Sequence, residues 1–324
     1  MYRWKERSGT PLVLAAGVLW GTVGPAQVMA AVPASPVAVG GARILFGGVI
    51  LAVAALAMDR GSFAGLRDAW RPLLAAAAAT GTFQAAFFSA VDRTGAAVAT
   101  AVVFGVVPVS TGVCERVASG IRPAPRWWAG TACAVGGVAL LAVPDGDVRV
   151  DPAGVALGLV AGCCFGVYTV AAKRMTGRGG GMAAAVSVTL VAGGAVLLPW
   201  TVAALPALAV PRGLALVGWL GIAATAVAYM CFVTGLGRVG AATAGTLSLV
   251  EPLVAVAIAV ALLGEPMPPP VVAGTVLLLG GLAVVSVPRR RAASHRAAPS
   301  RADLYDGDQA TGAVKVESTT GERP

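Results

Sequence analysis

Charged residues are scarce in this sequence. Only 12% of its 324 residues are Asp, Glu, Lys or Arg, whereas 57% are hydrophobic, and the mean hydropathy is +0.81. Soluble domains carry about 25% charged residues. A chain with so few charges is poorly suited to an aqueous surface, so the composition indicates an integral membrane protein.

Histidine is also scarce, and the cysteines do not have the spacing of metal ligands. The one histidine, His295, lies in a polar segment near the carboxyl terminus. The cysteines fall within apolar stretches, without the spacing of metal ligands or of a disulfide framework. They are Cys114, Cys133, Cys163, Cys164 and Cys231. We therefore expect no metal and no other cofactor. We also expect no enzyme, because catalysis needs a convergent set of acids, bases, nucleophiles or metal ligands.

Nucleotide and nucleic-acid sites are not indicated either. The sequence lacks a loop of the GxxxxGKS type, so ATP is not expected to drive the protein directly. The net charge of +9 does not belong to a folded basic domain. We interpret it as an orientation signal combined with contacts to anionic membrane lipids, and we expect no nucleic-acid binding.

Long apolar stretches run through almost the whole chain. A bilayer core takes roughly 20 apolar residues per helix, and short loops with Arg, Asp, Gly or Pro separate ten such stretches. We place them at 10–30, 36–58, 72–91, 94–116, 125–143, 153–173, 180–203, 212–234, 240–264 and 269–287. The sequence therefore predicts an all-α integral membrane protein with ten transmembrane helices.

The distribution of basic residues predicts the orientation. The side of a membrane protein that is richer in Lys and Arg is normally cytoplasmic. With ten helices both termini share one side, and that side holds 20 of the 24 Lys and Arg residues. The other side holds Arg93, Arg149 and Arg212. We predict a multi-pass protein of the cell inner (plasma) membrane with both termini in the cytoplasm.

Three segments are predicted to lie outside the helices. Residues 1–9 form a short cytoplasmic N-terminus, and residues 144–152 form an extracytoplasmic linker. The tail, 288–324, is rich in Ala, Ser, Gly and charge and is expected to be disordered, because it cannot form a core. VPA before Ser35 has a weak likeness to a signal-peptidase site. However, this first stretch has a counterpart in the middle of the chain, which a removable signal peptide would not need.

That counterpart is part of an internal repeat. Residues 16–26 read AGVLWGTVGPA and residues 161–171 read AGCCFGVYTVA, at an offset of 145. Further residues match at this offset or one residue from it: Phe87, Arg93, Gly95, Pro108 and Gly120 meet Phe232, Arg238, Gly240, Pro252 and Gly264, and AGT at 129–131 meets AGT at 273–275. The matches define two five-helix repeats, 10–143 and 153–287.

The odd number of helices in each repeat predicts an inversion. After five crossings the second repeat must traverse the membrane in the opposite sense to the first. Inverted repeats are the usual construction of secondary transporters, whose substrate site lies near the midplane between the repeats. We therefore predict a carrier that moves its substrate through a central cavity by alternating access.

Several motifs resemble EamA-type members of the drug/metabolite transporter superfamily. They are LWG in the first helix, AR opening the second, VGAATAGTLSLVEPLVAVAIAVALLGEP across the ninth, and WWAGTACAVGGVALL and VVAGTVLLLGGLAVV, which close the two halves. The resemblance covers nearly the whole chain. It implies a basket of ten helices, both termini inside, a central cavity and, in many members, export of amino acids or related metabolites. The first half departs from the pattern at GIRP, where Ile121 replaces the acid of GEP.

Glu251 is an acid in the middle of the ninth apolar stretch. A charge at this depth is costly, and such residues usually face a cavity and serve function. We interpret Glu251 as a carrier of protons during transport. The alternative is a structural acid that pairs with Arg43 or accepts hydrogen bonds from Ser and Thr.

Prolines interrupt the hydrogen bonding of two predicted helices. Pro252 lacks an N–H, so the carbonyl of Ser248 loses its helical partner and becomes available to a substrate or a water. Pro108 has the same effect in the first half, where Val107 takes the place of the acid.

Other polar and aromatic residues at membrane depth are candidates for the site. Arg43 could bind a substrate carboxylate or pair with Glu251, and it is close enough to the interface to snorkel. Trp20 lies in mid-helix, away from the interfaces where Trp collects, and suits either a cavity wall or plain packing. Further candidates for substrate contact are Gln27, Gln84, Tyr168 and Tyr229.

The first helix of each repeat carries a GxxxG motif, which permits close packing of helices. The glycines are Gly17 and Gly21 in the first repeat and Gly162 and Gly166 in the second. We interpret them as packing residues, with a moving seam as the alternative.

The sequence as a whole favours a proton-coupled exporter of amino acids or related small metabolites. One acid and one Arg suit a zwitterion or a cation, whereas phosphorylated sugars would need several buried basic residues. The alternatives are a flippase for lipids or other amphiphiles and an uncoupled facilitator. A channel is poorly supported, because two inverted halves with one acid provide no ring of ligands.

Overall fold

The computed structural model describes residues 9–58, 61–141, 151–176 and 181–286. Over these ranges the chain is helical, without a β-strand. The N-terminus before Gly9, most of the predicted linker, His295 and the tail from residue 288 lie outside the described residues. The expectations for them therefore remain predictions.

Ten long helices follow one another in the described part of the chain. They are α1 (Gly9–Ala30), α2 (Pro36–Met58), α3 (Trp70–Thr94), α4 (Ala96–Ser119), α5 (Pro125–Leu141), α6 (Pro152–Met175), α7 (Met182–Val196), α8 (Pro211–Leu236), α9 (Ala241–Leu263) and α10 (Pro269–Ser286). A 3₁₀ turn, Ala64–Ala69, precedes α3, and two short helices, Leu198–Ala203 and Leu205–Leu208, lie between α7 and α8.

Eight of the described helices are long and apolar enough to cross a membrane, which supports a multi-pass helical membrane protein. The two shorter helices are α5, with 17 residues, and α7, with 15. The prediction of a single helix over 180–203 was wrong at its carboxyl end. There Leu197 leaves the helical conformation, and Pro199 starts a separate short helix, because proline can neither donate to nor fit against the turn before it.

Proline and glycine account for many of the helix ends. Five helices begin at a proline, where the missing N–H has no helical partner in any case. Gly120 and Gly264 end α4 and α9 with φ of +68° and +70°, a left-handed conformation that glycine adopts without steric cost. The matched glycines of the repeat therefore perform the same task in both halves.

The helices pack in a pattern that repeats five helices further along. α1 packs against α8 and α9, and correspondingly α6 packs against α3 and α4. α2 packs against α8, and α7 against α3. Three further contacts each join a helix of the first half to the helix five places further along. They are α2 with α7, α4 with α9 and α5 with α10. The first helix of each half thus packs into the other half.

Two corresponding groups of three helices differ in their backbone. In the interrupted triad (α1, α8 and α9), α1 breaks at Thr22, α8 contains a π-helical segment at Ile222–Val227, and α9 breaks at Ser248 and Leu249. In the continuous triad (α6, α3 and α4), each helix is uninterrupted. Irregular backbone at membrane depth is normally found where it lines a cavity or is buried in protein.

Prolines explain two of these breaks. Pro25 and Pro252 are each the third residue of a new helical segment, Val23–Ala30 and Val250–Leu263. At that position an N–H would have no helical acceptor, so proline is tolerated. Pro108, by contrast, lies inside the unbroken α4. The same residue type therefore lies in the first turn of a new segment in the interrupted triad and is accommodated within a helix in the continuous triad.

Candidate functional site

Aromatic side chains from both halves of the chain contact one another where α1, α6 and α8 come together. The Trp20 ring lies 6.3 Å from Phe165, its partner in the repeat, 5.3 Å from Tyr229 and 5.2 Å from Phe232, measured between ring centroids. Tyr168 lies 5.9 Å from Tyr229 in an edge contact. Trp20 and Tyr168 are buried. The structure therefore brings together three predicted site residues, Trp20, Tyr168 and Tyr229.

Glu251 lies beside this cluster, in the first turn of the second segment of α9. Its side chain is half-buried. It lies within electrostatic range of Tyr229 and of Arg43. In the described part of the protein its carboxylate has no hydrogen-bond donor and no cation within 4 Å, since the one salt bridge found there joins other residues.

The carbonyl of Ser248 is not left without a partner. It accepts a hydrogen bond from the N–H of Glu251 at 3.0 Å, and the Ser248 hydroxyl donates to the carbonyl of Gly245. The expectation of a vacant carbonyl was therefore wrong in part. At the break, the Ser248 carbonyl accepts from the N–H three residues later, that of Glu251, instead of from an N–H four residues later. Only the second lone pair of this oxygen remains available.

Arg43 points into the protein rather than toward the interface. Its Nη1 atom is buried and has no hydrogen-bond partner in the described structure. Arg43 is carried by α2, which packs closely on α8. The close approach is seen at Gly47, one turn after Arg43, where an added Cβ would lie only 2.7 Å from the carbonyl oxygen of Gly221. Snorkelling does not describe this side chain, and no ion pair with Glu251 within 4 Å is formed.

The breaks of the interrupted triad lie next to one another and next to Glu251. The Nε1–H of Trp219, just before the π-helical segment of α8, donates to the Thr22 hydroxyl at 3.1 Å, at the break of α1. A Cβ at Gly21 would lie 2.7 Å from the carbonyl of Glu251. The break of α1 therefore adjoins both the residue before the π-helical segment of α8 and the Glu251 segment of α9.

The GxxxG motifs mark two matching close approaches between helices. A Cβ at Gly17 would lie 2.3 Å from Val250 Cγ1, whereas a Cβ at Gly162 or Gly166 would lie within 2.8 Å of the backbone of α4, near Val103 and Ser110. The first approach faces the Glu251 segment. The second faces the segment around Pro108.

The remaining predicted residues lie in different surroundings. Gln84 is buried on α3, and Pro108 is buried within α4. Gln27 donates to the carbonyl of Val23, in its own helix. The structure gives no described hydrogen-bond partner for Gln84, so its place in the site remains a prediction.

Glu115 was not among the candidate residues predicted from the sequence. It is only 4% exposed and accepts hydrogen bonds from the N–H groups of Ala241 and Ala242, at 2.7 and 2.9 Å. These are the first residues of α9, which follows Gly240 and so has no capping side chain of its own. The signal for this role in the sequence is Gly240, which has no side chain to cap α9.

Lys173 and Trp127 reinforce the same junction. The Lys173 ammonium donates to the carbonyls of Leu236 and Val239, which precede α9, and lies within electrostatic range of Glu115. The indole N–H of Trp127 donates to the carbonyl of Ala242 at 3.1 Å. Trp127 is therefore a buried residue that stabilises the start of α9.

An exposed ion pair fastens two helices of the continuous triad. Arg93 at the end of α3 lies 3.1 Å from the carboxylate of Asp151, which caps α6 through the N–H of Ala153. The backbone N–H of Ala153 lowers the pKa of Asp151, and the Arg93 guanidinium lowers it further. The ion pair therefore links the end of α3 to the start of α6.

Known proteins resemble this chain over most of its length. The model of the EamA-like transporter family matches twice, at residues 7–143 and 152–287. The protein described as "Uncharacterized transporter YwfM" of Bacillus subtilis is 35% identical over 88% of this chain and 96% of its own length. "Uncharacterized protein PA1977" of Pseudomonas aeruginosa is 30% identical over 76% of this chain and 82% of its own.

A solved crystal structure shares the fold. It superposes with a TM-score of 0.73 over 86% of this chain and 96% of its own, at 21% sequence identity. At that identity the likeness concerns the fold alone. The family matches and the transporter relative indicate transport rather than catalysis. The chain therefore belongs to the EamA-like transporter family of the drug/metabolite transporter superfamily and is a multi-pass membrane transporter.

Proposed function

We propose that this transporter is a proton-coupled exporter of amino acids or related small metabolites. The observation that carries the proposal is the position of Glu251, a half-buried carboxylate that follows the break of α9, packs against the break of α1 and has no structural partner in the described residues. A structural acid would be expected to have its hydrogen bonds satisfied. An acid that binds and releases protons needs to remain reachable and unsatisfied, as Glu251 is.

Alternating access between two inverted repeats is the proposed mechanism. The packing pattern supports it, because the largest contacts between the major helices recur when helices are exchanged five places along the chain. The two separate matches of one family model point the same way. In this proposal α5 and α7 also cross the membrane, which gives ten spans, and both termini lie in the cytoplasm.

The central cluster gives the proposed substrate a place to bind. Trp20, Tyr168 and Tyr229 provide an aromatic wall, while Arg43 and Glu251 provide one cation and one anion without a direct ion pair. Such a pair, held apart, can bind the two ends of a zwitterion. Protonation of Glu251 would remove its attraction for an ammonium group, so proton binding and substrate binding exclude each other.

Reconstituted vesicles test this proposal. We would compare the wild type with Glu251→Gln, and follow the lumenal pH while amino acids, amines and nucleosides are added one at a time. The expected result is a pH change that one compound produces with the wild type and not with Glu251→Gln. Glu265→Gln is a matched control, because Glu265 is an exposed acid just after the same helix and should couple as the wild type does.

The opposite result is equally clear. If Glu251→Gln moves the same compound at the same rate and the wild type produces no pH change, the protein is an uncoupled facilitator and Glu251 is structural. Comparable amounts of folded protein, measured by size-exclusion chromatography, are required for both variants.

A further inference from the structure

Thr225 differs from most buried Ser and Thr residues in the described part of the chain. Buried Ser and Thr side chains in helices commonly donate to a carbonyl one turn back, and those of Thr80, Thr94, Thr169 and Thr201 do so here. Thr225 is fully buried, yet its Oγ1 has no partner in the described structure. A buried hydroxyl without a partner is rare in proteins and points to an absent ligand or water.

The repeat provides a reference for this residue. Thr80 stands 145 residues before Thr225, on the corresponding helix α3. Its hydroxyl donates to the carbonyl of Ala76 at 2.8 Å. Thr225 lies in the π-helical segment of α8, where the hydrogen-bonding turn is one residue longer, and such segments frequently occur at functional sites. The hydroxyl is therefore satisfied within α3 and unsatisfied within α8.

Two other buried polar atoms also have no partner in the described structure. They are Nη1 of Arg43 and the hydroxyl of Tyr168, a residue that is 5% exposed. Tyr168 contacts Tyr229, which follows Thr225 by one turn of α8 and lies within electrostatic range of Arg43. All three atoms can donate a hydrogen bond.

The methyl group of Thr225 helps to place its hydroxyl. A Cβ at Gly47 would lie 2.6 Å from Thr225 Cγ2, so the methyl group is the branch that contacts α2. Gly47 follows Arg43 by one turn of that helix. The contact therefore holds the Thr225 segment of α8 against the Arg43 segment of α2, and the hydroxyl is the branch outside this contact.

We propose that Arg43, Tyr168 and Thr225 form a subsite for the carboxylate group of the substrate. A carboxylate accepts about four hydrogen bonds, and it would satisfy three donors that the protein leaves unsatisfied. Glu251, which lies within electrostatic range of Tyr229 and Arg43, then receives the ammonium group. This inference rests on the proposed function and narrows its substrate class to compounds that carry both a carboxylate and an amine.

The test compares Thr225→Val with Thr80→Val in vesicles. Valine keeps the shape of threonine and removes the hydroxyl, and Thr80 is the matched residue whose hydroxyl is already satisfied. The probes are L-leucine with isopentylamine and L-phenylalanine with phenethylamine, in which each amine lacks only the carboxylate. We expect Thr225→Val to raise the KM for the amino acids at least about tenfold, a change of ~1.4 kcal/mol in binding, without changing the uptake of the amines. Thr80→Val should behave as the wild type with all four probes.

Two further measurements separate binding from folding. Thr225→Val should keep the thermal midpoint of the wild type, because no hydrogen bond within the protein is lost. Thr225→Ser, which retains the hydroxyl, should restore most of the affinity for the amino acids. A lower thermal midpoint together with equal loss for amino acids and amines would mean that Thr225 is structural and would overturn the proposal.

The result can also distinguish this inference from the proposed function. A wild type that moves the amines and not the amino acids, with a lumenal pH change that Glu251→Gln abolishes, would overturn the carboxylate subsite and leave proton-coupled export in place. Uptake of amino acids without any pH change, and with the expected effect of Thr225→Val, would retain the subsite and reject proton coupling.

Discussion

The interrupted triad and the continuous triad have corresponding places in the packing of the helices, but only one of them has a broken backbone. α1, α8 and α9 are each irregular at membrane depth, whereas α6, α3 and α4 are regular from end to end. The repeat alone does not predict this difference, because both triads carry related sequences. The residues that differ between them are informative.

The difference between the two triads is seen at two pairs of corresponding residues. Pro108 lies within the unbroken α4 next to Val107, while Pro252 follows Glu251 just after the break in α9. Thr80 has its hydroxyl satisfied within α3, while Thr225 has a free hydroxyl in the π-helical segment of α8. In each pair the interrupted triad holds the group that is able to interact with a ligand.

This comparison suggests a division of labour between the two triads. Continuous helices keep their polar groups satisfied and can move as rigid bodies, and broken helices present backbone and side-chain groups to a cavity. In the proposed site Arg43 comes from α2, which belongs to neither triad and packs against α8. The proposed site thus draws its irregular backbone from the interrupted triad.

Removal of Pro252 should have the largest effect on this difference. In Pro252→Ala the new N–H can donate to the carbonyl of Ser248 and extend one regular helix through the break. We expect transport to fall at least about tenfold, equivalent to ~1.4 kcal/mol, because the Glu251 segment would turn relative to α1. Transport is measured in vesicles, and the thermal midpoint of the purified protein shows whether the variant stays folded.

Pro108→Ala is the matched control for that experiment. α4 is already continuous, so the added N–H should change transport little and should not lower the thermal midpoint. If Pro108→Ala impairs transport as much as Pro252→Ala, the two triads are equivalent in function and the comparison between them is lost.

Much of the fold was predictable from the sequence, because apolar runs bounded by Pro, Gly and charge are visible without a structure. The ten helices lie close to the predicted stretches, and the helix-ending roles of Gly120 and Gly264 follow from the matched positions. The break before Pro199 was less visible, because Leu197 and Leu198 continue the apolar run. There the local conformation of a proline outweighs hydrophobic pattern.

The site was predictable only where polarity stands out against apolar surroundings. Glu251, Arg43 and the aromatic residues could be named for that reason, and the structure brings Trp20, Tyr168 and Tyr229 into contact. Thr225 could not be found in this way, since a threonine within a helix normally satisfies itself. Its importance depends on a π-helical turn, and no proline or glycine within Ile222–Val227 indicates one.

Glu115→Ala should have the next largest effect, because Glu115 joins the two triads. Its carboxylate on α4 accepts from two N–H groups at the start of α9, and its loss leaves both buried donors unsatisfied. We expect a loss in the free energy of unfolding of about 1–3 kcal/mol. Thermal unfolding of the purified protein measures it, with the exposed Glu265→Ala as the control. An unchanged midpoint for Glu115→Ala would mean that water replaces the carboxylate at this junction.

The smallest expected effect concerns the ion pair that fastens α3 to α6 in the continuous triad. The Ala153 N–H and Arg93 lower the pKa of Asp151 in the folded protein, so the folded state binds this proton less readily than the unfolded state does. The resulting stabilisation is fully present above the ordinary aspartate pKa of about 3.9 and is lost as the pH falls through the lower folded value. Asp151→Asn keeps the oxygen that caps α6 and removes the charge. Its thermal midpoint should lie slightly below that of the wild type from pH 5 to 7 and approach it near pH 3, and salt should reduce the difference, because both partners are exposed. A difference that stays constant down to the lowest pH would show that Asp151 acts through the cap alone, and that charge contributes nothing to holding the continuous triad together.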